Sequence, residues 1–515
     1  MIRSLLTVST GTLASRLLGF LRDSMIAGLL GTGAISDAFL VAFQFVNVVR
    51  RLLSEGALNA ALVPAWIRLR DTGGAAAAAS FAGAVLGTIS ATLIAATALL
   101  GLVMPWVVTA LAPGFAGHDT LRLAVTDARL MLPYLAFAGP ATVLLALASA
   151  QGRFFVTAFS PLLFNVALIA VMTVLIVAGE DAEFAALALA ATVGVAGLLQ
   201  LLVLAFGRGG AVATPVRLAL DAQMRGFVAR AVPGMVASSA PQLLAIAGAI
   251  IASSSPSAVS WLYFANRLIE LPLGMVGVAM GTVLIPELTR ALHGSDRGAI
   301  AHAESRALEL AAGLALPAMI GLIVLSGPIV RLLFEHGAFT AADTASTAQA
   351  LIWLALGLPA HVLVKALAPA FFAREDTWTP LLATLKGFVF AIALALLLGH
   401  FLGVAGIAIG LAFGAWSNAF SLIRQGGASF GLSLDADARR RIPRIVAAAL
   451  VMGALLWFAA GLIANTHGLA QAVVLFVLIA GGIGAYALLL MAFRVTTPDE
   501  VVNAFRQSGH RDLHI

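Results

Sequence analysis

Cysteine is absent from the 515 residues, which excludes disulfides, thiolate metal sites and cysteine nucleophiles and leaves the redox compartment open. Charge is scarce as well: 10% of residues are charged, against roughly a quarter in soluble domains. Lysine occurs only at Lys365 and Lys386. No G-x-x-x-x-G-K-[ST] sequence is present, so a nucleotide-binding P-loop is excluded. The nine histidines are scattered, His118, His293, His302 and His467 among them, and no Asp-rich box accompanies them. A membrane-embedded enzyme acting on polyprenyl phosphates would need clustered carboxylates for Mg²⁺ or a His/Asp set. The chain reads as a transporter, not an enzyme, with no cofactor and no metal site. Its N-terminus has Arg3 and then a long apolar stretch without an A-x-A cleavage pattern, which predicts a retained helix.

What is plentiful is apolar sequence. Hydrophobic residues make up 61% of the chain, and mean hydropathy is +1.02. Apolar runs of about twenty residues recur throughout, the length a helix needs to cross a bilayer. A β-barrel would show short alternating segments instead. The fold class is an all-α membrane protein of about fourteen transmembrane helices. The predicted spans are 4–30, 35–63, 78–104, 129–150, 157–178, 184–206, 227–253, 258–286, 305–326, 346–371, 378–400, 402–423, 444–463 and 469–493. The net charge of +6 resides in short loops, which points to topology rather than nucleic acid. One set of loops carries Arg68, Arg70, Arg153, Arg208, Arg217, Arg225, Arg290, Arg297, Arg374, Arg439, Arg440, Arg441 and Arg494. The opposite set offers Arg122 and Arg331 and the acidic Glu180, Asp181 and Glu183. The positive-inside rule then places both termini in the cytoplasm.

Two halves of the chain match at an offset of about 220 residues. Gly139–Leu163 resembles Leu358–Leu382, with Pro140 and Pro161 spaced like Pro359 and Pro380. Met104–Phe115 parallels Gly327–Phe339, and Pro105 to Gly114 is spaced like Pro328 to Gly337. "SDAFLVAF" ahead of Pro64 parallels "SWLYFANR" ahead of Pro286. Six crossings per half predict two lobes related by a parallel pseudo-two-fold axis. The expected division is an N-lobe at 1–221, a C-lobe at 222–440, two further helices at 441–494 and a cytoplasmic tail at 495–515.

Seven basic residues fall inside predicted spans: Arg16, Arg22, Arg50, Arg51, Arg267, Lys365 and Lys386. On insertion scales each costs roughly 2.5–3.5 kcal/mol at a helix centre. Five of them lie in the first, second and eighth spans with the acids Asp23, Asp37, Glu55 and Glu270. At 100° per residue, Ser9, Thr12, Arg16, Gly19 and Asp23 share one stripe. Asp37, Gln44, Arg51, Glu55 and Asn59 share another, with Asn47 and Arg50 beside it; Tyr263, Arg267, Glu270 and Gly274 share a third. Such faces cannot look at lipid and are expected to meet around a water-accessible cavity. Local ion pairs, Arg51–Glu55 or Arg267–Glu270, are the plainer alternative. Surplus cation favours an anionic ligand, and guanidinium suits phosphate through bidentate hydrogen bonds.

"SRLLGFLRD" at Ser15–Asp23 and "SDAFLVAFQFVNVVRRLLSEGA" at Ser36–Ala57 strongly resemble the signature of the MurJ/MviN family of bacterial lipid II flippases. "LAPGF" at Leu111–Phe115 and the run Trp261–Leu288 resemble it too. The family belongs to the multidrug/oligosaccharidyl-lipid/polysaccharide exporter superfamily. The resemblance implies a lipid II substrate, the undecaprenyl-pyrophosphate-linked peptidoglycan precursor, carried across the bacterial inner membrane by alternating access. It implies substrate-binding arginines at Arg16, Arg22, Arg50 and Arg267, with Asp23, Asp37 and Glu55 gating or supporting; Ser15, Gly19, Asn47 and Glu270, on the same helices, are further candidates for gating or support. Periodicity favours Arg51 where the resemblance favours Arg50, so both stay candidates. Val46 stands where the family usually has proline before its Asn, and Gly234–Leu244 has no acid for the sodium site of some members. The last two helices are expected to form a groove for the lipid tail. No ATP motif is present, so membrane potential is the expected drive, with the coupling ion open. Expected partners are lipid II, membrane lipids and the cell-wall synthesis machinery, with one chain sufficient for transport. A multidrug or other polyprenyl-linked oligosaccharide exporter of the same fold is the alternative; it would place a lone acid in an aromatic-lined cavity instead of clustered arginines.

Overall fold

Gly31 and Gly33 end the first long apolar helix with backbone at positive φ (63° and 122°), a conformation that favours glycine. That helix, α1 (Ile2–Leu30), is followed by α2 (Ala34–Ser54). The structure is a computed structural model and describes residues 2–54, 57–206, 213–219, 221–229, 240–279, 297–372, 374, 376–461 and 468–496. The described elements are helical throughout. Next come α3 (Ala57–Leu111), interrupted by non-helical backbone at Gly74, and a 3₁₀ turn at Pro113–Phe115. α4 (Asp119–Met131), α5 (Pro133–Ala150), α6 (Phe154–Ala178) and α7 (Ala182–Leu204) follow. Further along lie α8 (Ala240–Ala252), α9 (Ala258–Ala279), α10 (Arg297–Val324), α11 (Ser326–Phe334), α12 (Ala341–Ala355) and α13 (Leu358–Phe372). The last four are α14 (Trp378–Leu402), α15 (Val404–Phe430), α16 (Ala436–Ala460) and α17 (Leu469–Ala492).

Helix order repeats along the chain. α4 to α7 start at 119, 133, 154 and 182, and α12 to α15 start at 341, 358, 378 and 404. Among the described residues ten helical stretches are long and apolar enough to cross a membrane. They fall on ten of the expected spans. The other four, 4–30, 35–63, 227–253 and 258–286, either carry the intramembrane charges or are only partly described. Boundaries differ from expectation where proline or glycine intervenes. The span expected at 129–150 is α4 and α5 joined at Pro133, and the one at 346–371 is α12 and α13 joined near Gly357.

The chain divides into two compact units, Met1–Ser260 with His336–Thr340, and Trp261–Glu335 with Ala341–Ile515. In the first unit α1 packs on α6, α2 on α4, and α5 between α3 and α7. Leu13, Leu17 and Leu21 form an exposed ridge on α1 while Gly19, Arg22, Asp23 and Ile26 are buried. Apolar outside and polar inside is the pattern a bilayer solvent selects. Two loops clasp this unit. Ala338 donates its N–H to the Gly28 carbonyl at 2.7 Å, and Gly114 donates to Ser253 Oγ at 3.0 Å.

In the second unit α14 and α15 pack closely through small residues: Gly406, Gly410 and Gly414, spaced by four, lie against Leu398, Ala395 and Ala391. α16 lies along α10 and carries α17. At one end of α10, Arg374 pairs with Glu304 at 3.0 Å and stacks 3.8 Å from the Phe430 ring centre. His302 contacts Asp435, the N-cap of α16, at 3.0 Å. Leu450, Trp457, Phe458, Phe476 and Ile483 project outward from α16 and α17. Lys365 and Lys386 occupy exposed positions.

Candidate cation site on the first two helices

An arginine sunk among helices must find partners for a charge that apolar surroundings will not solvate. Arg22 is 6% exposed and the adjacent Asp23 0%. The Arg22 Nε and Nη2 both donate to Asp23 Oδ1, at 2.9 and 2.6 Å. Its Nη1 donates to Asn165 Oδ1 on α6 at 2.9 Å. Asn165 Nδ2 in turn donates to the Ser15 carbonyl at 3.2 Å, two turns back along α1. The guanidinium carbon lies 5.0 Å from the Phe43 ring centre and 5.8 Å from that of Phe164. Cation–π contact of this kind is worth about 0.5–2 kcal/mol.

Arg50 approaches the same floor. Its guanidinium carbon is 5.8 Å from the Phe164 centroid, and its Nε donates to Asn47 Oδ1 at 3.3 Å. The Tyr134 side chain of α5 faces Arg50 and meets Phe164 edge-on at 5.4 Å. Two cations from different helices therefore share one aromatic ring. Of the sequence-derived candidates, Ser15, Arg22, Asp23, Asn47 and Arg50 are brought together here. Gly19 is buried on the same helix, and Arg16 and Arg51 are half-buried on α1 and α2. It is Arg50 that reaches the Phe164 ring, although periodicity had aligned Arg51 with Asp37. Glu55 and the Gly234–Ser239 stretch lie outside the described residues.

Asp37 is engaged elsewhere. Its Oδ1 accepts from the Ser260 N–H at 2.9 Å and from Ser260 Oγ at 2.5 Å. Ser260 Oγ also lies 3.1 Å from Ser36 Oγ. Ser36 and Ser260 occupy matching places in the two repeats, so equivalent positions meet directly. Arg267 and Glu270 belong to the second unit and form an i,i+3 pair at 2.8 Å. Among the described residues no three His, Asp or Glu side chains gather as a metal site requires.

Phe164 and Asn165 were not anticipated from sequence. They sit in a strongly apolar span, 159–178. The available signal was a single amide within a run of lipid-compatible residues, since polar groups at membrane depth are costly unless they serve.

The family profile described as "Lipid II flippase MurJ" matches residues 26–478. A "Probable lipid II flippase MurJ" of Rhizobium meliloti is 38% identical over 463 residues, covering 89% of this chain and 86% of that protein. A "Lipid II flippase MurJ" of Burkholderia cenocepacia is 32% identical, covering 89% of this chain and 90% of that protein. Among solved structures, "Lipid II flippase MurJ, inward closed conformation" superposes with a TM-score of 0.79 at 22% identity, covering 95% of this chain and 98% of that one. An inward-facing multidrug resistance MATE transporter of the MOP superfamily gives 0.64 at 16% identity, covering 86% and 98%, a likeness of fold alone. By the extent of the family match and the identity to these relatives, the chain belongs to the MurJ lipid II flippase family.

Proposed function

We propose that this chain carries lipid II from the cytoplasmic to the periplasmic leaflet of a bacterial inner membrane by alternating access. On this reading fourteen helices cross the bilayer, with both termini cytoplasmic and two six-helix lobes presenting alternate openings. The pyrophosphate engages the guanidinium groups of Arg16, Arg22 and Arg50, joined by Arg267, while the polyprenyl tail remains in lipid along the last two helices. The names of the family and its relatives support the substrate. One observation carries the chemistry: the guanidinium groups of Arg22 and Arg50, from two different helices, share the Phe164 ring. A diphosphate offers the oxygens that two such forks demand. A MATE-like drug exporter gains nothing from two cations at one ring, since many of its substrates would be repelled.

Reconstitution into liposomes with labelled lipid II tests the reading. Wild type is expected to move the label between leaflets, and Arg16→Ala, Arg22→Ala and Arg267→Ala are each expected to slow it at least tenfold. Wild-type rates in all three would refute the cationic site.

A further inference from the structure

The sequence motifs account for Arg22 and Asp23 but leave α6 without a role. We infer that Asn165 is a positioning residue for substrate capture, holding Arg22 so that its free edge faces the diphosphate, with Phe164 as the floor beneath it. The inference deepens the proposed flippase reading and rests on it.

Arginine has five N–H donors. Two point to Asp23 and one to Asn165, which leaves two for an oxyanion. Asp23 fixes one edge of the guanidinium plane but leaves rotation about the long side chain to be restrained from another side. Asn165 supplies that restraint from a different helix. It is itself pinned, because its amide nitrogen is committed to the Ser15 carbonyl. The amide cannot flip without turning an N–H toward the Arg22 cation and its oxygen toward the Ser15 carbonyl, both repulsive. One side chain therefore ties two levels of α1, Ser15 and Arg22, to α6. The Phe43 and Phe164 rings flank the guanidinium without competing for its donors. A preformed fork of this kind avoids ordering a rotamer-rich side chain at the moment of binding.

The measurement is the affinity of purified full-length protein for undecaprenyl pyrophosphate in detergent, with thermal stability recorded in parallel. Asn165→Ala is expected to weaken binding about tenfold, the scale of one charge-assisted hydrogen bond, with little change in Tm. In an Arg22→Ala background the same substitution should add nothing, because Asn165 acts through Arg22. Asn165→Leu keeps the volume, so it serves if the alanine variant is unstable, and it should behave alike. Phe164→Tyr should restore what Phe164→Leu loses, since the ring face is what the cations use. Unchanged affinity in Asn165→Leu, or an equal loss with and without Arg22, would overturn the inference. Should Arg22→Ala itself bind as wild type does, the cationic-site reading fails first; loss in Arg22→Ala with none in the Asn165 variants sinks only the positioning role.

Discussion

Charge alone does not explain Arg22, because a lysine would bring the same charge to the same depth. The side chain uses its planar shape: one edge on Asp23, one donor on Asn165 and its faces against Phe43 and Phe164. Arg22→Lys keeps the cation but has no planar fork to fill these contacts together. It is therefore expected to lose at least about tenfold in lipid II transport, a loss on the scale of one charge-assisted hydrogen bond, while expressing at wild-type levels; near-normal flipping by the lysine variant would mean that shape is irrelevant. Asp23→Ala is the harsher change. It strands a buried guanidinium, and breaking such a pair costs about 3–5 kcal/mol, so a pronounced fall in Tm should accompany the loss of transport. At this scale the sequence was legible where residues of opposite charge stood side by side, as at 22–23. It was silent where the partner is one neutral amide 143 positions away.

Helices meet through their ends as well as their faces. Gly337 has φ of +60°, and a methyl there would run into the Gly28 carbonyl; a methyl on Gly114 would meet the backbone at Ser253 and Ser254. These clasps occupy equivalent places in the two repeats, one on the α1–α2 turn and one on the α8–α9 turn. Gly337→Ala combines left-handed backbone strain of about 1–2 kcal/mol with a backbone clash, and Gly114→Ala has the clash alone. Both should lower Tm, with Gly337→Ala the more damaged; equal stability to wild type would show the clasps to be slack. The N-terminus of α16 depends on a cap instead. Asp435 accepts from the Ala438 N–H, chiefly for which reason its carboxyl lies below the usual carboxylate range, with His302 adding a smaller pull. A depressed value stabilises the fold above the unfolded-state pKa of about 4 and loses that contribution as pH falls through the folded value. Asp435→Ala should thus cost about 0.5–2 kcal/mol near neutral pH, and its Tm should converge on wild type on acidification. A gap that stays constant down to pH 3 would remove the charge from the explanation. The matching order of α4 to α7 and α12 to α15 was readable from proline and glycine spacing. The breaks at Pro133 and Gly357 were not, because hydropathy averages across a kink, whereas the break at Gly74 falls in the polar interval expected between the spans 35–63 and 78–104.

Across the whole molecule, the proposed transport of a charged lipid raises the question of what drives it. On the proposed flippase reading, with no P-loop motif in the sequence, the membrane potential is the proposed drive. A diphosphate moving outward through an inside-negative membrane carries negative charge down the field, at about 2.3 kcal/mol per charge per 100 mV. With two charges that is roughly 4.6 kcal/mol, or on the order of a thousandfold in the leaflet ratio at equilibrium. An empty cationic site that changed its exposure would move positive charge outward against the field, whereas a loaded site is nearly neutral. The potential should therefore act mainly on the return of the empty transporter, helping the cations back toward the cytoplasm. Proteoliposomes poised by a potassium gradient and valinomycin separate the steps. Imposing an inside-negative potential, in the sense of the cell, should speed repeated turnover strongly and a single loaded crossing only weakly. Arg16→Ala, with one fewer charge on the empty site, should flatten the voltage dependence. Turnover that ignores the imposed potential would exclude this drive and leave a coupled ion as the source.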